Sequence, residues 1–206
     1  MPTILYQSNP LIYLRTKKTG SHSVKQCIKE YAVKNQISYL EVRSKDTDTL
    51  ETHQFVSHMP AEVLSQRLDV WNISTKFTFI RNPWSVLSSY YYFIKNTGPK
   101  YGWNNPDKYS LNNINDFVSS LIDIHGTCNF NKEIYCINNQ VIADVYDISQ
   151  ISTVMKQYFN IDNVPNLNVQ QYEPNYFNMS KKIDTYIYRD YKWEIDNFAY
   201  TTPSMD

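Results

Sequence analysis

The apolar positions of this chain change their period several times along its length. Leu11-Ile12-Tyr13-Leu14 is a short unbroken apolar run, which predicts a buried strand ending near Arg15. A polar stretch follows, Thr16-Lys17-Lys18-Thr19-Gly20-Ser21-His22-Ser23, and then Val24, Cys27, Ile28 and Tyr31 recur at helical spacing. Residues 34 to 57 are polar and weakly patterned, with one strand expected between Ile37 and Val42. Pro60 is expected as the first residue of a helix reaching Leu68, a position where its missing N–H costs nothing. Lys76-Phe77-Thr78-Phe79-Ile80 is the clearest strand, rich in aromatic and β-branched residues. Asn82 then reads as a helix cap and Pro83 as the first helical residue, ahead of an apolar stripe of Val86, Leu87, Tyr90, Tyr91 and Ile94.

Residues 95 to 113 carry Gly, Pro and Asn without period and predict a long loop. A helix is expected over Ile114 to Ile124, and a hairpin from Glu133 to Val145 turning at Asn138-Asn139. Ser149 is expected to cap a helix bearing Ile151, Val154, Met155 and Tyr158. Asp184 to Phe198 reads as one closing amphipathic helix. Strands alternating with helices predict an α/β fold, a central mostly parallel sheet flanked by helices in three layers, with residues 1–206 as a single domain.

Bulk composition narrows the function. Hydrophobic residues make up 42% and charged residues 19%, which fits a globular core and argues against disorder. Twenty basic residues balance twenty acidic ones, so no overall field draws the chain to nucleic acid or an anionic membrane. Any anion site must then be local. Cys27, Cys128 and Cys136 lack metal-ligand spacing, as do the four histidines, so reduced thiols and no metal are expected. The first fifteen residues show no signal-peptide pattern, and no run approaches the roughly 20 apolar residues of a membrane span. The expectation is a cytoplasmic protein. Glycine is scarce at four residues, which makes Gly20, set between two polar residues at a strand-to-helix junction, informative.

Two junctions carry chemistry. In the first, a loop ends at a helix N-terminus, where backbone N–H groups and the positive end of the helix dipole face an anion. Lys17 and Lys18 add charge, Gly20 permits close backbone approach, and Thr19, Ser21 and Ser23 add hydroxyl donors. The loop is not G-x-x-x-x-G-K-[ST], since Gly20 stands alone. In the second, Arg81 ends a strand and Ser89 follows two helical turns on, on the side where open α/β sheets bind ligands. An arginine fork with a hydroxyl suits a phosphate. Two such junctions imply a nucleotide phosphorylated at both ends.

These residues resemble the motifs of sulfotransferases that use 3′-phosphoadenosine-5′-phosphosulfate (PAPS). Lys18-Thr19-Gly20-Ser21-His22-Ser23 is similar to their 5′-phosphosulfate loop, P-K-T-[GA]-[GS]-T-S, with Lys17 in place of the proline and His22 in place of a threonine. Arg81-Asn82-Pro83, followed by Ser89-Tyr90-Tyr91, resembles their 3′-phosphate motif, R-[DN]-P-x5-S-x-Y-Y. His58-Met59-Pro60-Ala61 is similar to an H-[ML]-P-A element of the carbohydrate and bacterial-type branch. The likeness extends loosely over Tyr135–Val145, Pro165–Asn168 and the closing helix, and leaves out residues 34–52 and 95–113. An Arg-Arg pair often found after the Leu-Asn element is absent, with Lys181-Lys182 standing nearest to it.

The resemblance implies a P-loop-like fold and transfer of a sulfuryl group from PAPS, released as PAP, to a hydroxyl of a carbohydrate, lipid or small metabolite. It assigns Lys17, Lys18, Thr19, Gly20, Ser21, His22 and Ser23 to the phosphosulfate, and Arg81 and Ser89 to the 3′-phosphate. Lys18 is expected to stabilise charge on the leaving phosphate. Histidine is the usual base near neutral pH, and His58 is the first candidate, with His53 in reserve. His22 is expected to act as a donor within the loop, and His125 to end a helix. Two other readings stay open. One is a P-loop-type phosphotransferase, disfavoured by the missing glycine motif and by the lack of an acidic Mg²⁺ ligand after a strand. The other is a non-catalytic nucleotide- or glycan-binding module.

Overall fold

A computed structural model describes residues 2–42, 58–97, 109–165 and 179–202. His53, most of the expected 95–113 loop and the Leu-Asn element after Pro165 lie outside the described residues. The chain divides into two compact units, each built from two stretches. The first comprises Met1–Ile80 and Asn131–Val169, the second Arg81–Phe130 and Gln170–Asp206.

The first unit holds a five-stranded sheet. Its strands are β1 (Thr3–Tyr6), β2 (Leu11–Tyr13), β3 (Ser38–Glu41), β4 (Thr75–Ile80) and, further along the chain, Asp144–Asp147. Two strands intervene in sequence, β5 (Cys136–Ile137) and β6 (Gln140–Val141), so the last strand of the sheet is β7. The order across the sheet is β3-β1-β2-β4-β7. β2, β4 and β7 pair in parallel, with Leu11 opposite Thr75 and Phe77 opposite Asp144. β1 is antiparallel to both of its neighbours, so four of the five strands point one way. The sheet is mixed but mostly parallel, as the alternation of elements predicts.

Alternating side chains explain why β4 is an inner strand. Phe77 and Phe79 face one side with Tyr13, Leu5 and Leu11, and pack against Val24, Cys27 and Ile28 of α1 (Ser21–Lys34) and Val154, Met155 and Phe159 of α6 (Ile151–Phe159). The other side is closed too: Ile4, Ile12, Leu14 and Thr78 are fully buried. A strand buried on both faces must satisfy its polar atoms internally, and the Thr78 hydroxyl does so by donating to the Leu14 carbonyl at 2.6 Å.

The second unit is helical. It contains α3 (Pro83–Thr97), α4 (Ile114–His125), α7 (Lys181–Asp190) and α8 (Lys192–Phe198). Trp84, Leu87, Tyr91, Phe117, Val118, Leu121, Ile183 and Ile187 form its core. The buried Trp84 indole donates to Asp184 Oδ1 at 2.9 Å, which resolves the one polar atom of that ring. Asn82 caps α3 as expected, its Oδ1 accepting from Trp84 N at 3.1 Å, and His125 ends α4.

Several local expectations are corrected. Pro60 is the cap of α2 (Ala61–Arg67), with extended ψ, and not its first helical residue. The hairpin is shorter than expected: β5 and β6 carry two residues each, around Asn138 and Asn139 at φ 50° and 62°. Ahead of it Lys132–Tyr135 forms a single helical turn, α5, and after it Asp144–Asp147 joins the main sheet. Asp147, not Ser149, makes the cap before α6: its carboxylate accepts from Ser149 N at 2.8 Å, and Gln150 reaches back to Asp147 N at 3.0 Å. The closing helix is two helices that break at Tyr191, where the buried ring turns its hydroxyl to the Cys128 carbonyl at 3.1 Å.

Candidate functional site

The loop from β2 to α1 is held along its whole length. Leu14 N donates to Phe77 O at 2.9 Å, continuing the parallel ladder one residue past β2. The Thr16 hydroxyl bonds the Phe79 carbonyl and sits 2.7 Å from the Thr19 hydroxyl, while Thr19 also donates to Thr16 O at 3.2 Å. These bonds curl the chain into a tight turn. Lys17 is gripped from a distant part of the sequence. Its N–H donates to Asn131 Oδ1 at 2.8 Å, and its carbonyl accepts from Asn131 Nδ2 at 3.1 Å.

Lys18 follows with φ 64°, in the left-handed region where a side chain other than glycine's is strained by about 1–2 kcal/mol. Gly20 caps α1 with φ 71°, and a Cβ there would lie 3.0 Å from Ile151 Cδ1. Its lack of a side chain is therefore used twice, for the backbone turn and for the closeness of α6. α1 begins at Ser21 with no acidic residue in its first turn, so no carboxylate of the helix occupies its positive end. Thr19, Ser21 and Ser23 are buried at this turn; Lys17 and Lys18 are half-buried.

Arg15 adds a charge that sequence reasoning passed over. It is 6% exposed, and its Nε donates to Ser21 Oγ at 3.0 Å while its Nη2 lies 3.2 Å from the nearer nitrogen of His22. Among the described residues no carboxylate lies within ion-pair distance of it; the nearby Glu41 pairs with Lys25 at 2.9 Å. A buried guanidinium whose bonds among the described residues go to neutral groups adds a positive potential to the mouth of α1. His22 registers that field. Loss of solvation, then the charges of Arg15, Lys25 and Lys18, pull its pKa down to about 4. It is therefore neutral at neutral pH and serves the loop as a hydrogen-bonding ring.

His58 sits against the same loop. Its Nδ1 is 2.8 Å from the Arg15 carbonyl, which can only accept, so Nδ1 carries the proton and Nε2 keeps its lone pair. Burial first, and the charge of Lys17 second, hold the His58 pKa well below the ordinary 6.5. The structure thus places Lys17, Lys18, Thr19, Gly20, Ser21, His22, Ser23 and His58 together in the first unit. Arg81 and Ser89 belong to the second, where half-buried Arg81 precedes the cap of α3 and buried Ser89 lies along that helix.

The expected lack of an acidic residue after a strand is not met. Asp147 ends β7, a parallel strand of the central sheet, so an acidic residue does follow a strand; its carboxylate is engaged in capping the turn before α6. The sequence placed residues up to Val145 in the second arm of a hairpin and gave no sign that Asp144–Asp147 pairs with β4. Asn131 was equally invisible, since its bonds to Lys17 span 114 residues and no local pattern announces them.

The two histidines make acid sensitivity predictable. An unfolded chain takes up protons on both below the ordinary value of about 6.5, whereas the folded chain resists them until far lower pH. Folding therefore holds fewer protons in that window, and stability is complete above it and falls as pH drops from 6.5 toward 4. The thermal midpoint of the wild-type chain is expected to drop more between pH 7 and pH 5 than that of His58→Asn, whose amide can keep the bond to Arg15 O. Equal drops in the two chains would remove His58 from the account.

No family model, characterised protein or solved structure matches the chain. Among the described residues no helix is long and apolar enough to cross a membrane.

Proposed function

We propose that the chain is a PAPS-dependent sulfotransferase. The observation that carries this reading is that His58, from a distant part of the sequence, is bonded through Nδ1 to the backbone of the loop that brings Lys18 to the mouth of a helix, which leaves its Nε2 with a lone pair. The motif likenesses at Lys18–Ser23 and at Arg81–Tyr91 select sulfuryl transfer from the chemistries such a site allows. On this reading the phosphosulfate end of the donor rests against the first turn of α1, with Lys17, Lys18, Thr19, Ser21 and Ser23 as donors and Gly20 forming the turn that leads into the helix. The share of Arg81 and Ser89 in binding a 3′-phosphate rests on the motif alone.

The reaction is an in-line displacement at sulfur. His58 Nε2 takes the proton of the acceptor hydroxyl, and the hydroxyl oxygen forms a bond to sulfur. The bond from sulfur to the bridging oxygen breaks, and its electron pair stays on the phosphate of PAP. Lys18 meets the charge that grows on that oxygen and is worth most at the transition state. Neutral His22 donates to a sulfuryl oxygen. The P-loop-like character of the fold belongs to this proposal, as does the acceptor, a hydroxyl-bearing carbohydrate, lipid or small metabolite. Neither a metal nor a nucleic acid enters it.

Asp147 at the end of β7 gives one observation to a second reading, a nucleotide-dependent phosphotransferase. Thermal shifts with PAP, PAPS and ATP–Mg²⁺ separate the two. The proposal expects stabilisation by PAP and PAPS, and labelled sulfate leaving PAPS with water or a hydroxyl as acceptor. Stabilisation by ATP–Mg²⁺ alone transfers the assignment to the phosphotransferase. Binding of PAP with no sulfate released from PAPS leaves a binding module.

A further inference from the structure

The strained conformation of Lys18 needs something to hold it, and the first unit supplies a specific holder. A left-handed residue other than glycine relaxes to ordinary helical or extended φ unless its flanking peptides are fixed. The φ of Lys18 describes rotation of that residue against the peptide that joins it to Lys17, so the orientation of the Lys17 carbonyl largely decides it. Asn131 bonds that carbonyl at 3.1 Å and the Lys17 N–H at 2.8 Å, a two-point grip by one carboxamide on one residue. Asn131 is itself 4% exposed and anchored in the chain, its own carbonyl accepting from Ile134 N at 2.9 Å at the start of α5. On the far side of Lys18, the Thr16–Thr19 hydroxyl pair and Gly20 fix the next peptides.

We infer that Asn131 is a positioning residue for Lys18: its carboxamide sets the Lys17–Lys18 peptide, holds Lys18 in the left-handed conformation, and so directs the ammonium toward the anion at the first turn of α1. This rests on the reading that Lys18 meets the leaving phosphate. Asn131 touches no reacting atom. It acts by removing the conformational freedom that would let the lysine swing away, which is where proximity contributes to rate. The choice of asparagine follows from the bonds. Aspartate can accept from the Lys17 N–H, but it would set a carboxylate oxygen against the Lys17 carbonyl; serine is too short for both contacts.

A double-mutant cycle in the full chain tests this, read by release of labelled sulfate from PAPS with water as acceptor and by PAP binding in calorimetry. Asn131→Ala is expected to slow release about 10-fold or more, with PAP affinity changed less than the rate, and Asn131→Asp to fall between it and wild type. In a Lys18→Ala background the same Asn131 change should cost less than 2-fold, because no ammonium is left to direct. An equal loss in both backgrounds, or no loss with Lys18 present, overturns the inference. Asn131→Ser serves if the alanine chain does not fold. Amide exchange at Lys17 gives a readout free of turnover: Asn131→Ala should speed it about 10-fold or more while β4 amides keep their protection. If wild-type chain binds no PAP, the sulfotransferase reading fails and takes the lysine's catalytic use with it, whereas unchanged Lys17 exchange refutes the grip itself.

Discussion

Replacing His58 by asparagine is expected to slow sulfate release from PAPS by about 10²- to 10⁴-fold while leaving the thermal midpoint near neutral pH little changed. Asparagine can keep the hydrogen bond to the Arg15 carbonyl, so the loop retains its brace, but it offers no lone pair in place of Nε2. The loss therefore reports proton transfer and not folding. Because burial and Lys17 hold the His58 pKa well below 6.5, the proposed base is already neutral at pH 6.5. The wild-type rate should run flat from there through neutrality and fall only at lower pH. Turnover within 5-fold of wild type in His58→Asn would show that the proton leaves by another route.

Lys18→Ala is expected to cost about 10²- to 10³-fold in the same rate, with PAP binding weakened far less. The asymmetry follows from where the charge develops. The bridging oxygen gains its negative charge during transfer, so the ammonium contributes least in the ground state. Lys18→Gly supplies the internal control. Glycine accepts φ 64° without strain, so that chain should be more stable than Lys18→Ala by about 1 kcal/mol yet as slow. A glycine chain that keeps the wild-type rate would reduce Lys18 to a bend in the backbone.

The loop-to-helix junctions were legible because their signals are local. An unbroken run such as Leu11–Leu14, a lone glycine before Val24, and Asn82-Pro83 after an aromatic strand each report a backbone preference at the position where it acts. What stayed hidden depends on distant partners. Thr3–Tyr6 becomes a strand because β3 and β2 flank it on both sides, and Asp144–Asp147 because β4 offers it an edge. Tyr191 breaks a helix whose apolar stripe runs on through it, since burial of the ring and its bond to Cys128 O outweigh helical continuity. In the site, Lys18, Gly20 and His58 were readable from their neighbours in sequence. Arg15 looked like the polar end of a strand, and its burial beside Ser21 and His22 shows only in the folded chain.

The reversed direction of β1 divides the sheet by the distance its contacts span along the chain. β1 meets β2 across a short turn and β3 across one helix, so these three strands and α1 can associate within a stretch of about forty residues. β2 with β4 and β4 with β7 must each close a loop of more than sixty residues. Chain-closure entropy makes the second set slow. On a ribosome these three N-terminal strands can therefore associate early, while the segment that becomes β4 is still unmade. The parallel half, which sets Thr78 against Thr16 of the loop between β2 and α1 and brings Asn131 toward Lys17, would be completed last, so the proposed anion site would be finished only at the end of folding.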